Sequence, residues 1–92
     1  MNQDGADGTV LAVSGNYAVV RLPGRNFPAA AIQGDSLKIL QETVRELSDC
    51  LAAGDLAEAA FPLNDVAATI AEMLEVYEGA ARDLGLELPY FS

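Results

Sequence analysis

Apolar positions along the first third of the chain come in short runs broken by turn-formers. After residue 34 they recur every three or four residues. Thr9-Val-Leu-Ala-Val13 is β-prone and is stopped by Ser14-Gly15-Asn16. Tyr17-Ala-Val-Val-Arg-Leu22 follows and ends at Pro23-Gly24, so the two runs read as a hairpin. A third run, Pro28–Gln33, is rich in Ala, a poor strand former, and its proline suits a strand start or an edge.

Beyond Gly34, Asp35 or Ser36 is placed to cap a helix, and Leu37, Leu40, Val44, Leu47 and Leu51 form one stripe along it. Gly54 fits the left-handed residue that closes such a helix. Asp55-Leu-Ala-Glu58 has capping-box spacing, but Pro62 removes a helical donor. The pattern therefore predicts a short helix over 55–61 and a restart capped by Asn64 or Asp65. Val66, Ile70, Met73, Tyr77, Ala80 and Leu84 stripe that last helix, which Gly85 and Leu86 stop.

The order β-β-β-α-α predicts an α+β domain, a small three-stranded antiparallel sheet packed on one face by a helical hairpin. Residues 9–92 make one domain, with the sheet at 9–34, the helices at 35–85 and a C-terminal tail at 86–92. Residues 1–8 read as a flexible start with neither the basic nor the apolar region of a signal peptide. Strand alternation puts Ala18, Val20 and Leu22 on one sheet face and Tyr17, Val19 and Arg21 on the other. Both faces are partly apolar and one helical layer covers only one of them, so a homodimer or higher oligomer through the sheet is expected.

Composition adds to this picture at three points. Sixteen of the 92 residues are Ala, which brings little area to bury, so the core is thinner than 51% apolar content suggests. The formal charge is −9, and all of it falls after residue 34: Asp4, Asp7, Arg21 and Arg25 cancel, whereas twelve carboxylates face three cations in 35–92. Nucleic acid and anionic membranes both need clustered Lys and Arg, so neither is an expected partner. No apolar run approaches the ~20 residues of a membrane span, and the expected location is cytoplasmic.

The third point concerns chemistry. The chain has no His, which removes the commonest general base and metal ligand, and the single Cys50 can build neither a disulfide framework nor a cysteine zinc site. No enzyme activity, metal or cofactor is expected. Cys50 reads as a small buried hydrophobe. Glu72, Glu75 and Glu78 form an acidic ridge, readable as hard-cation ligands or as a solvated face. The loop Leu22–Pro28 is the most suggestive stretch. Arg25 and Asn26 offer donors, and Phe27 is either an exposed anchor or a plug folded under the helices. Arg25, Asn26, Phe27, Glu72, Glu75 and Glu78 are the candidate partner-binding residues. The acidic half reads as a solubility device or as a face for a basic protein.

Tyr17-Ala-Val-Val-Arg-Leu-Pro-Gly24, then Ala31-Ile-Gln-Gly-Asp-Ser-Leu37, resembles the HicB-type antitoxin domain over residues 9–53, and Leu84-Gly-Leu-Glu-Leu-Pro89 resembles that family's tail. The resemblance implies a small partial ribonuclease-H-like α+β unit, usually oligomeric, that neutralises a small RNA-cleaving toxin. The turn after Gly24 is longer than the family's usual one, residues 55–84 are a helical insertion, and its separate DNA-binding segment has no counterpart. The same core is similar to short bacterial proteins of unassigned function, for which the resemblance implies a fold alone. The expected function is thus a non-catalytic interaction module, antitoxin- or immunity-like, that meets a basic partner. The alternative is an oligomeric small-molecule-binding or structural domain.

Overall fold

A computed structural model describes residues 8–91, so of the start expected to be flexible only Gly8 is described. The elements are β1 (Thr9–Ser14), β2 (Tyr17–Arg21), β3 (Ala29–Ile32), α1 (Gly34–Ala52) and α2 (Leu56–Leu84). They form two compact units. One takes the strands to Ile32 together with Met73 onward; the other is Gln33–Glu72.

The first unit is built on an antiparallel meander in the order β1-β2-β3. Gly15 and Asn16 make the two-residue turn of the first hairpin, and Gly15 has φ +58°, which such turns require and glycine supplies without strain. Val19 sits opposite Ala12 and Ala30 in the central strand and is fully buried. The pairing slips at Leu11, an extra residue in β1, and this bulge lets Leu11 and Ala12 both reach the Val19 cluster. Tyr77 and Ala80 of α2 complete that core, with Val76 and Leu88 against it. The Tyr77 hydroxyl donates a 2.6 Å hydrogen bond to the Pro28 carbonyl across 49 residues of sequence, tying α2 to the start of β3. Sheet and helix thus form the expected small α+β arrangement. The other sheet face carries Val10, Val13, Ala18 and Val20, and its β1 members Val10 and Val13 are 62% and 68% exposed.

The second unit is α1, a tight turn and the first part of α2. Gly54 closes α1 at φ +73°, its N–H donating to the Leu51 carbonyl while the Asp55 N–H reaches Cys50; Gly85 and Leu86 end α2 with the same pair of bonds. Asp55 then caps α2, its Oδ1 accepting from the Glu58 N–H at 3.1 Å.

Three expectations need correction. Gln33, not Asp35 or Ser36, is the N-cap of α1. It contributes no side-chain bond, and Asp35 instead accepts from the Ser36 N–H at 2.8 Å inside the first turn. The helix expected to break at Pro62 and restart at Asn64 or Asp65 runs unbroken from Leu56 to Leu84. Pro62 removes only the one helical bond its own N–H would have made, and its ring is fully buried, which offsets the loss. Finally, α1 buries no residue completely, and Leu37, Val44 and Leu51 of its expected inner stripe remain 53%, 45% and 53% exposed.

Candidate interaction surface

The exposed stripe has a geometric cause. The less exposed positions of α1 are Ser36, Leu40, Thr43, Leu47 and Cys50, alternating spacings of four and three. In the second unit's share of α2 they are Ala59, Pro62, Val66 and Thr69, with the same alternation. These are the a and d positions of a heptad seam. The two seams converge on the turn at 53–55, with Cys50 and Ala59 the members nearest it and Ser36 and Thr69 the farthest. Small residues dominate that seam, and the side chains at a contact set how closely two helices approach. Thr43 fits it because its hydroxyl donates to the Ile39 carbonyl at 2.9 Å. The helix is rolled so that small residues face inward and half of the leucine stripe stands on the shoulder.

That shoulder is the e position of both helices. On α1 it is Leu37, Val44 and Leu51; on α2 it is Leu56, Leu63 and Ile70, which are 72%, 52% and 48% exposed. In an antiparallel pair the two e rows lie on the same side of the seam. Counted outward from the turn, Leu51 and Leu56 come first, Val44 and Leu63 next, and Leu37 and Ile70 last. The next row outward, position b, is Gln41 and Ser48 on α1 and Ala60 and Ala67 on α2. None of these ten residues is charged.

The opposite shoulder is acidic. Glu46 on α1 and Glu58, Asp65 and Glu72 on α2 occupy g, with Glu42 and Asp49 beside them at c. Phe61, 66% exposed, lies on this side one helical turn from both Glu58 and Asp65. Sequence reading missed Phe61 because it ended a helix there; carrying the heptad through Pro62 finds it. The two cations of the unit, Lys38 and Arg45, both stand at f on α1, and the Lys38 ammonium donates to Gln41 Oε1 at 2.9 Å.

The other candidates are scattered. Arg25 and Asn26 are exposed in the β2–β3 loop. Phe27, 38% exposed, is not a core plug but one wall of an open cleft of roughly 690 Å³, whose other walls are the tail Leu86–Phe91. Glu78 is brought near it indirectly, accepting from the Tyr90 hydroxyl at 2.8 Å. Burial, then this bond and the Glu78 charge, push the Tyr90 phenol above its ordinary range. Glu72 and Glu75 are not brought to the cleft. No group of three or more carboxylate or thiol side chains among the described residues is arranged to hold a metal ion. Partial burial, helped by the carboxylates of Glu46, Asp55, Glu58 and Asp49, pushes the Cys50 thiol up, away from the thiolate a reactive cysteine needs. No helix of the described residues is long and apolar enough to cross a membrane.

Fold and surface together define a small α+β domain with a thin core and large side chains left outside it. Residues 4–90 match a family of unknown function, DUF6959, and the chain belongs to it. No curated protein and no solved structure matches the chain.

Proposed function

We propose that this chain is a non-catalytic protein-interaction module. One contrast carries the reading. Among the described residues the buried apolar side chains are Val19, Ala59, Tyr77, Ala80 and Ala81 with the rings of Pro28 and Pro62, while sixteen large ones, including Phe27, Phe61, Tyr90 and Phe91, are exposed. Monomeric proteins keep such patches small, and larger ones mark surfaces that meet another molecule. A small-molecule site between sheet and helix would need a closed apolar pocket there. That space is filled by Val19, Tyr77 and Ala80, which favours the interaction reading.

The acidic shoulder supports a basic protein as the partner, in keeping with the HicB-type resemblance. Phe61 supplies an apolar anchor, and Glu46, Glu58 and Asp65 supply the surrounding field that speeds encounter with a cation-rich surface. The test is capture from the source cell with a tagged chain, followed by reconstitution with the purified partner. A stoichiometric basic protein is expected, bound less tightly as salt rises and at least tenfold less tightly to Phe61→Ala, the usual cost of losing an interface anchor. Binding that is unchanged at 1 M salt, or the recovery of no stoichiometric macromolecule, overturns the reading.

A further inference from the structure

We infer that the uncharged shoulder of the helical hairpin is a self-association surface on which a second copy of this chain seats its own shoulder, giving a four-helix bundle. The inference rests on the reading of the chain as an interaction module and names the occupant of one surface.

The first argument is the pattern. Two helices that pack only on each other need apolar residues at a and d alone, a stripe two positions wide in seven. Helices that pack on a larger core, in a bundle or a globular protein, need a third position, e or g. Here both helices carry it, and at the same letter: Leu37, Val44 and Leu51 on α1, and Leu56, Leu63 and Ile70 on α2. The spacing is seven throughout, so each row stays in line with the seam for its whole length. The hairpin is patterned for an apolar layer beyond its own two helices, which a second hairpin of the same pattern would supply.

The second argument is charge. Two copies of a chain carrying −9 repel each other, and least where the touching surfaces are free of carboxylate. All eight carboxylates between residues 35 and 72 lie at c, d or g, and none lies at e, b or f. The side chains bordering the face at f are Lys38, Arg45 and Ala52 on α1 and Ala57, Asn64 and Ala71 on α2, so its rim is cationic on one helix and neutral on the other. A partner with a strongly basic docking face would meet those cations, whereas a second copy meets Leu, Val, Ile and Ala.

The third argument is extent. From Leu37 to Leu51 a helix rises about 21 Å, and two helices side by side with their outer rows are on the order of 20 Å wide. A face of that size projects about 420 Å², and the rows of Leu, Val and Ile standing above it raise its accessible area toward the ~800 Å² per partner that a standard interface buries. A single partner helix would cover one of its two rows. A second hairpin covers both, and because the face is apolar on apolar it is complementary to itself, as a two-fold interface must be.

The full chain should therefore sediment as a dimer at micromolar concentration, and the dimer should persist in 1 M NaCl. Val44→Glu and Leu63→Glu each place a carboxylate in the buried face twice over, and each should weaken dimerisation by about 100-fold or more. Both residues are half-exposed in the single chain, so helix content by circular dichroism should not change. Ile39→Glu, on the acidic shoulder of the same helix, and Val13→Glu, on the open sheet face, should leave the dimer intact. A wild-type monomer, an assembly larger than a dimer, or a dimer lost on Val13→Glu and kept on Val44→Glu overturns the inference. A monomer that still binds a basic protein removes this inference alone and leaves the interaction module standing.

Discussion

Tyr77 shows how much one side chain carries in a core this thin. Its ring closes over Val19 beside Ala80, and its hydroxyl occupies the Pro28 carbonyl. Tyr77→Phe leaves that carbonyl without a donor, and we expect a loss of about 1–3 kcal/mol in denaturant unfolding, with the fold retained. Burial holds the Tyr77 phenol above its ordinary value, so the native state keeps the proton longer than the unfolded chain does. Its contribution is whole below the unfolded value near 10 and is lost as pH rises through the folded one. Stability should thus fall with rising pH in the alkaline range, more steeply in the wild type than in Tyr77→Phe. Parallel curves for the two proteins would contradict this. Cys50, with its thiol pushed up, should react with a disulfide reagent at neutral pH more slowly than a free thiol in a short peptide.

At the scale of elements, the hairpin of α1 and α2 depends on its turn. Gly54 has φ +73° with open space where a Cβ would stand, so Gly54→Ala meets no clash and its cost is purely conformational. That cost is about 1–2 kcal/mol, or a drop of several degrees in melting temperature. Asp55→Ala removes the α2 cap and should cost about 1 kcal/mol. The two substitutions act on adjacent residues of one turn, so the double variant is expected to lose less than their sum. Additive losses would show that the turn and the cap are independent. The helix over Pro62 illustrates the limit of local signals. A proline marks a break when only its lost donor is counted, and the compensating burial of its ring lies outside any local window.

For the whole molecule the governing quantity is −9. The Arg82–Asp83 ion pair, at 3.6 Å, is about three-quarters exposed on both sides and contributes little. Screening should therefore relieve more repulsion than attraction, and the melting temperature should rise between 10 mM and 300 mM NaCl. A melting temperature that falls over that range would mean that attractive pairs dominate. Salt also separates the two proposed surfaces, weakening a partner held at the acidic shoulder and sparing copies joined through the uncharged one.

Strand boundaries, turns, the helix stops at Gly54 and Gly85 and the placement of charge follow from local chemistry and were legible residue by residue, whereas the break expected at Pro62 and the cap expected at Asp35 or Ser36 were not. Ser14-Gly15-Asn16, Gly54, Asp55 and Gly85 act where they stand because a turn or a cap is settled by its immediate neighbours. The exposed Phe27 and the acidic ridge were visible as residue types, but their surroundings were not. Which side of each helix faces inward depends on how closely the two can approach, and that is a property of the pair. Leu37, Val44 and Leu51 read as core on one helix; against the small seam of Ser36, Thr43, Cys50, Ala59 and Pro62 they become surface. The sequence by itself determined that this chain makes a small sheet and an amphipathic helical pair. Only the tertiary structure decided which apolar rows that pair leaves in water, because burial is set between elements and periodicity is set within one.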